Sequence, residues 1–126
     1  MTPEGQYRAA TNGLVGERHV FGCSTHNVID GDIGGVPVEV KSAQVQVKNG
    51  WKNPRTAGRF ILTNYQHRVL LETDGDYLFV VVHDGKVIAE KRLKAATIER
   101  RFKVSERRQI AIPHPKIIRG LLGRIV

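Results

Sequence analysis

The chain has 126 residues, enough for one domain around one hydrophobic core and too few for two of ordinary size. Lys and Arg number 20 against 12 Asp and Glu, a net +8 that favours polyanionic partners, nucleic acid first among them. No apolar run nears the roughly 20 residues of a membrane span, and a single cysteine, Cys23, excludes an internal disulfide.

The opening MTPEGQYRAATNG lacks the basic and then apolar segments of a signal peptide, so a cytoplasmic protein without membrane attachment is expected. Residues 4–16 mix helix formers with Gly5 and Gly13, a loosely specified helix running to about Arg18; His19–Cys23 is a candidate short strand. From His26 the pattern turns to β. Valines alternate with polar residues in VPVEVKSAQVQV, the period-2 signature of a strand with one buried face. Gly34-Gly35 before it suits a two-residue hairpin turn, because glycine adopts positive φ without steric cost. Lys48–Gly58 (KNGWKNPRTAG) reads as a loop, and Phe60–Leu62 opens the next element.

Thr63 or Asn64 can cap a helix over about Tyr65–Glu72, with Val69, Leu70 and Leu71 as its apolar face and Asp74-Gly75-Asp76 as its end. Tyr77–His83 (YLFVVVH) is a continuous apolar run suited to a strand buried on both faces. Asp84-Gly85 is a turn signal, Lys86–Lys91 the return strand, and Ala95–Phe102 a short helix. Ile110–Ile112, two prolines and a basic tail follow. The order predicts an α/β (α+β) sandwich, a central sheet covered by helices, in one domain over 1–126 with a basic C-terminal extension from about residue 103.

If Gly34 and Gly35 form the turn, Ile33 faces Val36, Asp32 faces Pro37, Gly31 faces Val38 and Asp30 faces Glu39. Opposed residues point to the same face, and Lys41, two residues past Glu39, joins them; Val38 and Val40 point the other way, into the core. Two carboxylates so close repel unless a cation lies between them, and hard oxygen donors with room for water suit Mg²⁺ or Mn²⁺. A neighbouring ammonium can orient a water or steady a pentacovalent transition state. A turn centred one residue later pairs Asp32 with Glu39 instead; the Gly-Gly turn favours Asp30.

The stretch IDGDIGGVPVEVKSA resembles the PD-(D/E)xK nuclease superfamily, which includes restriction endonucleases and archaeal Holliday-junction resolvases: an Asp, a variable turn, then Glu-x-Lys on an apolar strand. Here that pattern is Asp30 followed by Glu39-Val40-Lys41, with Ile29 where the usual Pro precedes the Asp. The resemblance implies a restriction-endonuclease-like central mixed sheet flanked by helices, and a metal-dependent DNA endonuclease. Asp30, Glu39 and the Val40 carbonyl are its implied metal ligands, with Lys41 positioning the attacking water. It also implies a helper at Gln66 on the following helix and an acid on the first helix, for which Glu17 is the convenient candidate; Asp32 is a spare carboxylate. The alternative is the same fold as a catalytically inactive nucleic-acid-binding module within a larger complex.

Lys48, Lys52, Arg55 and Arg59 lie nearest in sequence to the catalytic strand and are the first candidates for DNA phosphate contact, with Trp51 a stacking platform or a loop anchor. The run Arg100, Arg101, Lys103, Arg107 and Arg108 is the densest positive stretch, as well suited to a solvated face as to DNA. The five histidines show no metal-ligand spacing. KIIRGLLGRIV at the end carries apolar residues that need cover, from their own sheet or from a homodimer.

Overall fold

A computed structural model describes residues 29–49 and 53–119, with backbone only for 47–49 and 53–56. The helix and strand expected before residue 24, with Glu17, lie outside the described residues, as do Trp51 and Lys52.

Strands β1 (Gly31–Ile33) and β2 (Val36–Gln44) form the expected hairpin. Gly34 and Gly35 have φ of 60° and 85°, so both turn positions need the left-handed region, and the register follows: Gly31 opposite Val38, Asp32 opposite Pro37, Ile33 opposite Val36. The stretch expected as a loop instead makes a short antiparallel ribbon, β3 (Val47–Asn49) and β4 (Asn53–Thr56). Pro54 is tolerated there because a two-stranded ribbon leaves an outer edge on each strand without a ladder partner.

Next come β5 (Arg59–Thr63), helix α1 (Asn64–Glu72), β6 (Asp76–His83), β7 (Lys86–Lys94) and helix α2 (Ala95–Phe102). A 3₁₀ turn (Val104–Glu106), β8 (Gln109–Pro113) and a second 3₁₀ turn (His114–Lys116) complete the described chain. The central sheet has the order β1-β2-β6-β7, with β2 and β6 parallel and the other pairs antiparallel. It is the expected mixed sheet flanked by helices. Among the described residues no helix is long and apolar enough to cross a membrane.

The sheet has two unequal faces. Tyr77, Phe79 and Val81 of β6 and Ala43 of β2 join Phe60, Leu62, Leu70, Ile98 and Ile112 in the main core. Val38, Val40, Leu78 and Val80 make a smaller cluster on the other side. Val38 and Val40 were expected to point into the core, with Glu39 and Lys41 turned away from it. In fact the larger core lies on the Glu39 and Lys41 face, because that is where β6 places its aromatic residues. Along this face β2 runs from charge to oil: Glu39, Lys41, then buried Ala43.

The chain beyond residue 103 is woven into this core. Strand β8 pairs antiparallel with β5, from Arg59 opposite Pro113 to Thr63 opposite Gln109, and Val104, Ile112 and Ile117 are buried. Within the segment expected as a basic extension, apolar residues between the cations complete the β5–β8 sheet. Gly58 joins the two sheets. Its N–H donates to the Gln44 carbonyl (3.1 Å), its carbonyl accepts from the His114 N–H (3.0 Å), and a Cβ there would collide with the Gln44 backbone. At the far end Ile117 and Ile118 pack on the main core, the first of the cover options for this apolar segment; 120–126 lie outside the described residues.

Candidate active site

The hairpin register brings Asp30 beside Glu39, and hydrogen bonds lock the pair. The Asp30 N–H donates to Glu39 Oε1 (3.0 Å), and the Val40 N–H donates to Asp30 Oδ2 (2.8 Å). Both side chains are almost fully buried, Asp30 at 8% and Glu39 at 2% exposure. Because a strand residue points its N–H and C=O to the same edge, the Val40 carbonyl faces the Asp30 side as well. Asp32 lies exposed at the turn, where Oδ2 accepts from the Gly35 N–H (3.3 Å). The alternative register, with Asp32 opposite Glu39, is not the one adopted.

Lys41 reaches back along the face of β2. Its Nζ lies 3.5 Å from Glu39 Oε2 and donates to Gln66 Oε1 at 2.7 Å. Gln66 comes from the first turn of α1, and its oxygen also accepts from Thr63 Oγ1 (3.3 Å). Thr63 occupies the N-cap position without making a side-chain cap, since its hydroxyl serves Gln66. Asn64 instead ties the helix start to the chain after α2, donating through its side-chain amide to the Ser105 (2.8 Å) and Arg107 (3.1 Å) carbonyls. Four sequence candidates, Asp30, Glu39, Lys41 and Gln66, thus converge. Arg59 is exposed on β5, while Lys48 and Arg55 are placed on β3 and β4 by backbone alone.

Burial and a side-chain hydrogen bond to Asp30 push the Glu39 carboxyl up to about 8; Lys41 pulls the other way and does not prevail. A cation placed between the two acids would relieve this crowding. The donor set fits a hard divalent ion. Among the described residues no three His, Cys, Asp or Glu side chains cluster, so the chain offers two carboxylates and a backbone carbonyl there. Mg²⁺ keeps several waters and tolerates so few protein ligands; zinc prefers nitrogen and sulfur.

A buried polar chain supports the helix from behind, and nothing in the sequence pattern announced it. His67, fully buried, bonds through Nδ1 to the Tyr77 hydroxyl (2.8 Å) and through Nε2 to Glu99 Oε1 (3.1 Å). Glu99 in turn accepts from the Ser105 N–H (2.9 Å). Burial holds His67 below its ordinary pKa despite the pull of Glu99. Burial would raise Glu99, but the Ser105 donors and His67 outweigh it, so that carboxyl sits low. Tyr77 stands opposite Glu39 in the β2–β6 register; burial, then the charges of Glu39 and Glu99, raise its hydroxyl pKa. The two partners of His67 come from two other segments, β6 and α2.

The sheet order, the Asp–turn–Glu-x-Lys hairpin and the helix that returns Gln66 to Lys41 agree with the comparison to known families. The model of the PD-(D/E)XK nuclease superfamily domain matches residues 14–108, and the chain belongs to that superfamily. No curated protein and no solved structure matches the chain.

Proposed function

We propose that this protein is a metal-dependent deoxyribonuclease that hydrolyses phosphodiester bonds with Mg²⁺ or Mn²⁺. The observation that carries the reading is the meeting of Asp30, Glu39, Lys41 and Gln66 on one face at the edge of the core. Asp30, Glu39 and the Val40 carbonyl would hold the ion. When bound, such an ion lowers the pKa of a coordinated water and neutralises charge on the scissile phosphate. Lys41 has three donors; Gln66 and Glu39 engage two directions and fix the ammonium, leaving one for the attacking water or a phosphate oxygen. Gln66 sets the direction of that ammonium, so it acts through Lys41. Burial of Glu39 keeps bulk water from competing for the same oxygens. The net +8 of the chain favours a polyanionic substrate, and phosphate contact from Lys48, Lys52, Arg55 and Arg59, with Trp51 as a stacking platform, belongs to the same reading.

One observation favours a second reading. The reciprocal bonds between Asp30 and the Glu39–Val40 segment clamp the hairpin without any ion, as in a nuclease fold kept for binding alone. Incubating the protein with supercoiled plasmid, with Mg²⁺, with Mn²⁺ and with a chelator, separates the two. Nicking or linearisation that requires the ion is expected. Lys41→Ala is expected to lose cleavage by about 10²–10³-fold while retaining DNA binding in a gel-shift assay; a variant that cuts at the wild-type rate removes Lys41 from the chemistry.

A further inference from the structure

Strand β7, α2 and the segment after β8 enclose an open cleft of about 530 Å³. Four cations line it, Lys91, Arg101, Lys116 and Arg119, against one carboxylate, Glu90, with buried Ile117 beneath. All four cations are exposed. We propose that this cleft is a second nucleic-acid contact, one that grips backbone phosphates outside the cleavage centre and without regard to sequence. It rests on the nuclease reading only for the identity of the polyanion as nucleic acid.

Three features support a built site over a merely solvated face. Arg101 is already oriented: its Nη2 donates to the Lys116 carbonyl (2.8 Å) and its guanidinium carbon lies 5.0 Å from the Phe102 ring centre. A guanidinium held this way loses little freedom on meeting a phosphate. On β7, beside Lys91, the arrangement is different, for Arg92 is already paired with Asp76 at 2.7 Å. Four like charges around one concavity also repel each other, and a polyanion relieves that repulsion while releasing its own counterions.

The lining chemistry defines the ligand. Among the described residues it offers four cations, one carboxylate and aliphatic carbon but no aromatic face for a base, so it suits the sugar-phosphate backbone and contributes position, not sequence readout. The cleft is also close to β2 in the sheet. Lys41 stands in register with Phe79 and Phe79 with Lys91, so Lys91 lies two strand spacings, roughly 10 Å, from β2 along the row that holds the catalytic lysine.

The test compares two charge-matched double variants, Lys91→Gln/Lys116→Gln in the cleft and Lys86→Gln/Lys103→Gln on exposed positions outside it. Fluorescence anisotropy with a labelled 30-base-pair duplex, in chelator, gives affinity from 50 to 200 mM salt. The cleft pair is expected to weaken binding about tenfold and to lower the slope of log affinity against log salt by about 1.8, one increment per lost phosphate contact. The outside pair is expected to change either quantity by much less. Equal losses in the two pairs would mean a diffuse field and overturn the proposal, as would wild-type binding by the cleft pair. Cleavage by the cleft pair in Mn²⁺ should show a raised half-saturating DNA concentration with a near-normal rate at saturation. If wild-type protein does not cleave yet the cleft pair loses binding, the nuclease reading fails and the cleft stands. If wild type cleaves and the cleft pair binds normally, the reverse holds.

Discussion

Two acid–base pairs at the same end of the central sheet show how differently one fold can treat charge. On β6 and β7, Asp76 and Arg92 meet at 2.7 Å with the guanidinium at 37% exposure, one acid for one base, at the rim. On β1 and β2, two buried acids lie side by side, and the one lysine near them has its Nζ 3.5 Å from Glu39 and closer to Gln66. The first arrangement is complete in itself and contributes well under about 1 kcal/mol, as exposed pairs do. The second is overcrowded, and burial together with the neighbouring acid pushes the Glu39 carboxyl up to about 8. Where a fold tolerates an electrostatic deficit in its interior, the reason is best sought in what the site must later hold.

That contrast can be broken most forcefully at Glu39. Its folded pKa of about 8 lies above the unfolded value near 4.5, so its contribution to stability is intact below pH 4.5 and is lost as pH rises towards 8. In metal-free protein, Glu39→Gln should therefore be more stable than wild type at pH 9, by a few kcal/mol, and the two should converge near pH 4.5. Mn²⁺ should raise the wild-type melting temperature increasingly as pH climbs through 8, the ion taking the place of the proton, and should leave the variant unmoved. A Glu39→Gln protein equally destabilised at both pH values would mark Glu39 as a plain structural acceptor.

A smaller effect is expected behind the site. His67→Ala should cost about 2–4 kcal/mol, from a cavity and the loss of partners for Tyr77 and Glu99. The wild-type ring resists protonation, so wild-type stability should fall as pH drops below 6.5 through the depressed folded value. The variant should lack that limb. Urea unfolding at pH 5.5 and 7.5 measures both. Smallest of all, Asp76→Asn should cost at most about 1 kcal/mol and leave Mn²⁺ binding by the thermal-shift assay unchanged; a lost metal response would mean the two charge clusters are coupled.

The hairpin was legible because its register depends on two adjacent glycines and a period of two, both local properties. Helix α1, β6 and α2 were legible for the same reason, and the superfamily pattern added Gln66. The β5–β8 sheet was not, since its partners lie some 50 residues apart and neither five-residue segment declares the other. The ribbon at 47–56 was hidden by Asn, Gly and Pro, which mark turns without showing how short the strands between them can be. Which face of β2 carries the larger core also escaped, because valine alternation identifies an apolar side and cannot reveal that β6 stacks Tyr77 and Phe79 against the other one. The network around His67 needs four segments folded at once.

Gly58 has a consequence for how this architecture can vary. Bare backbone passes there between Gln44 and His114, so the corner shared by the two sheets has no side chain to trade. Surfaces on either side are free to drift in charge and shape, and the cationic flank and the hairpin can be retuned separately. The mitre where they meet admits a single residue type, and it keeps both halves at one fixed bevel.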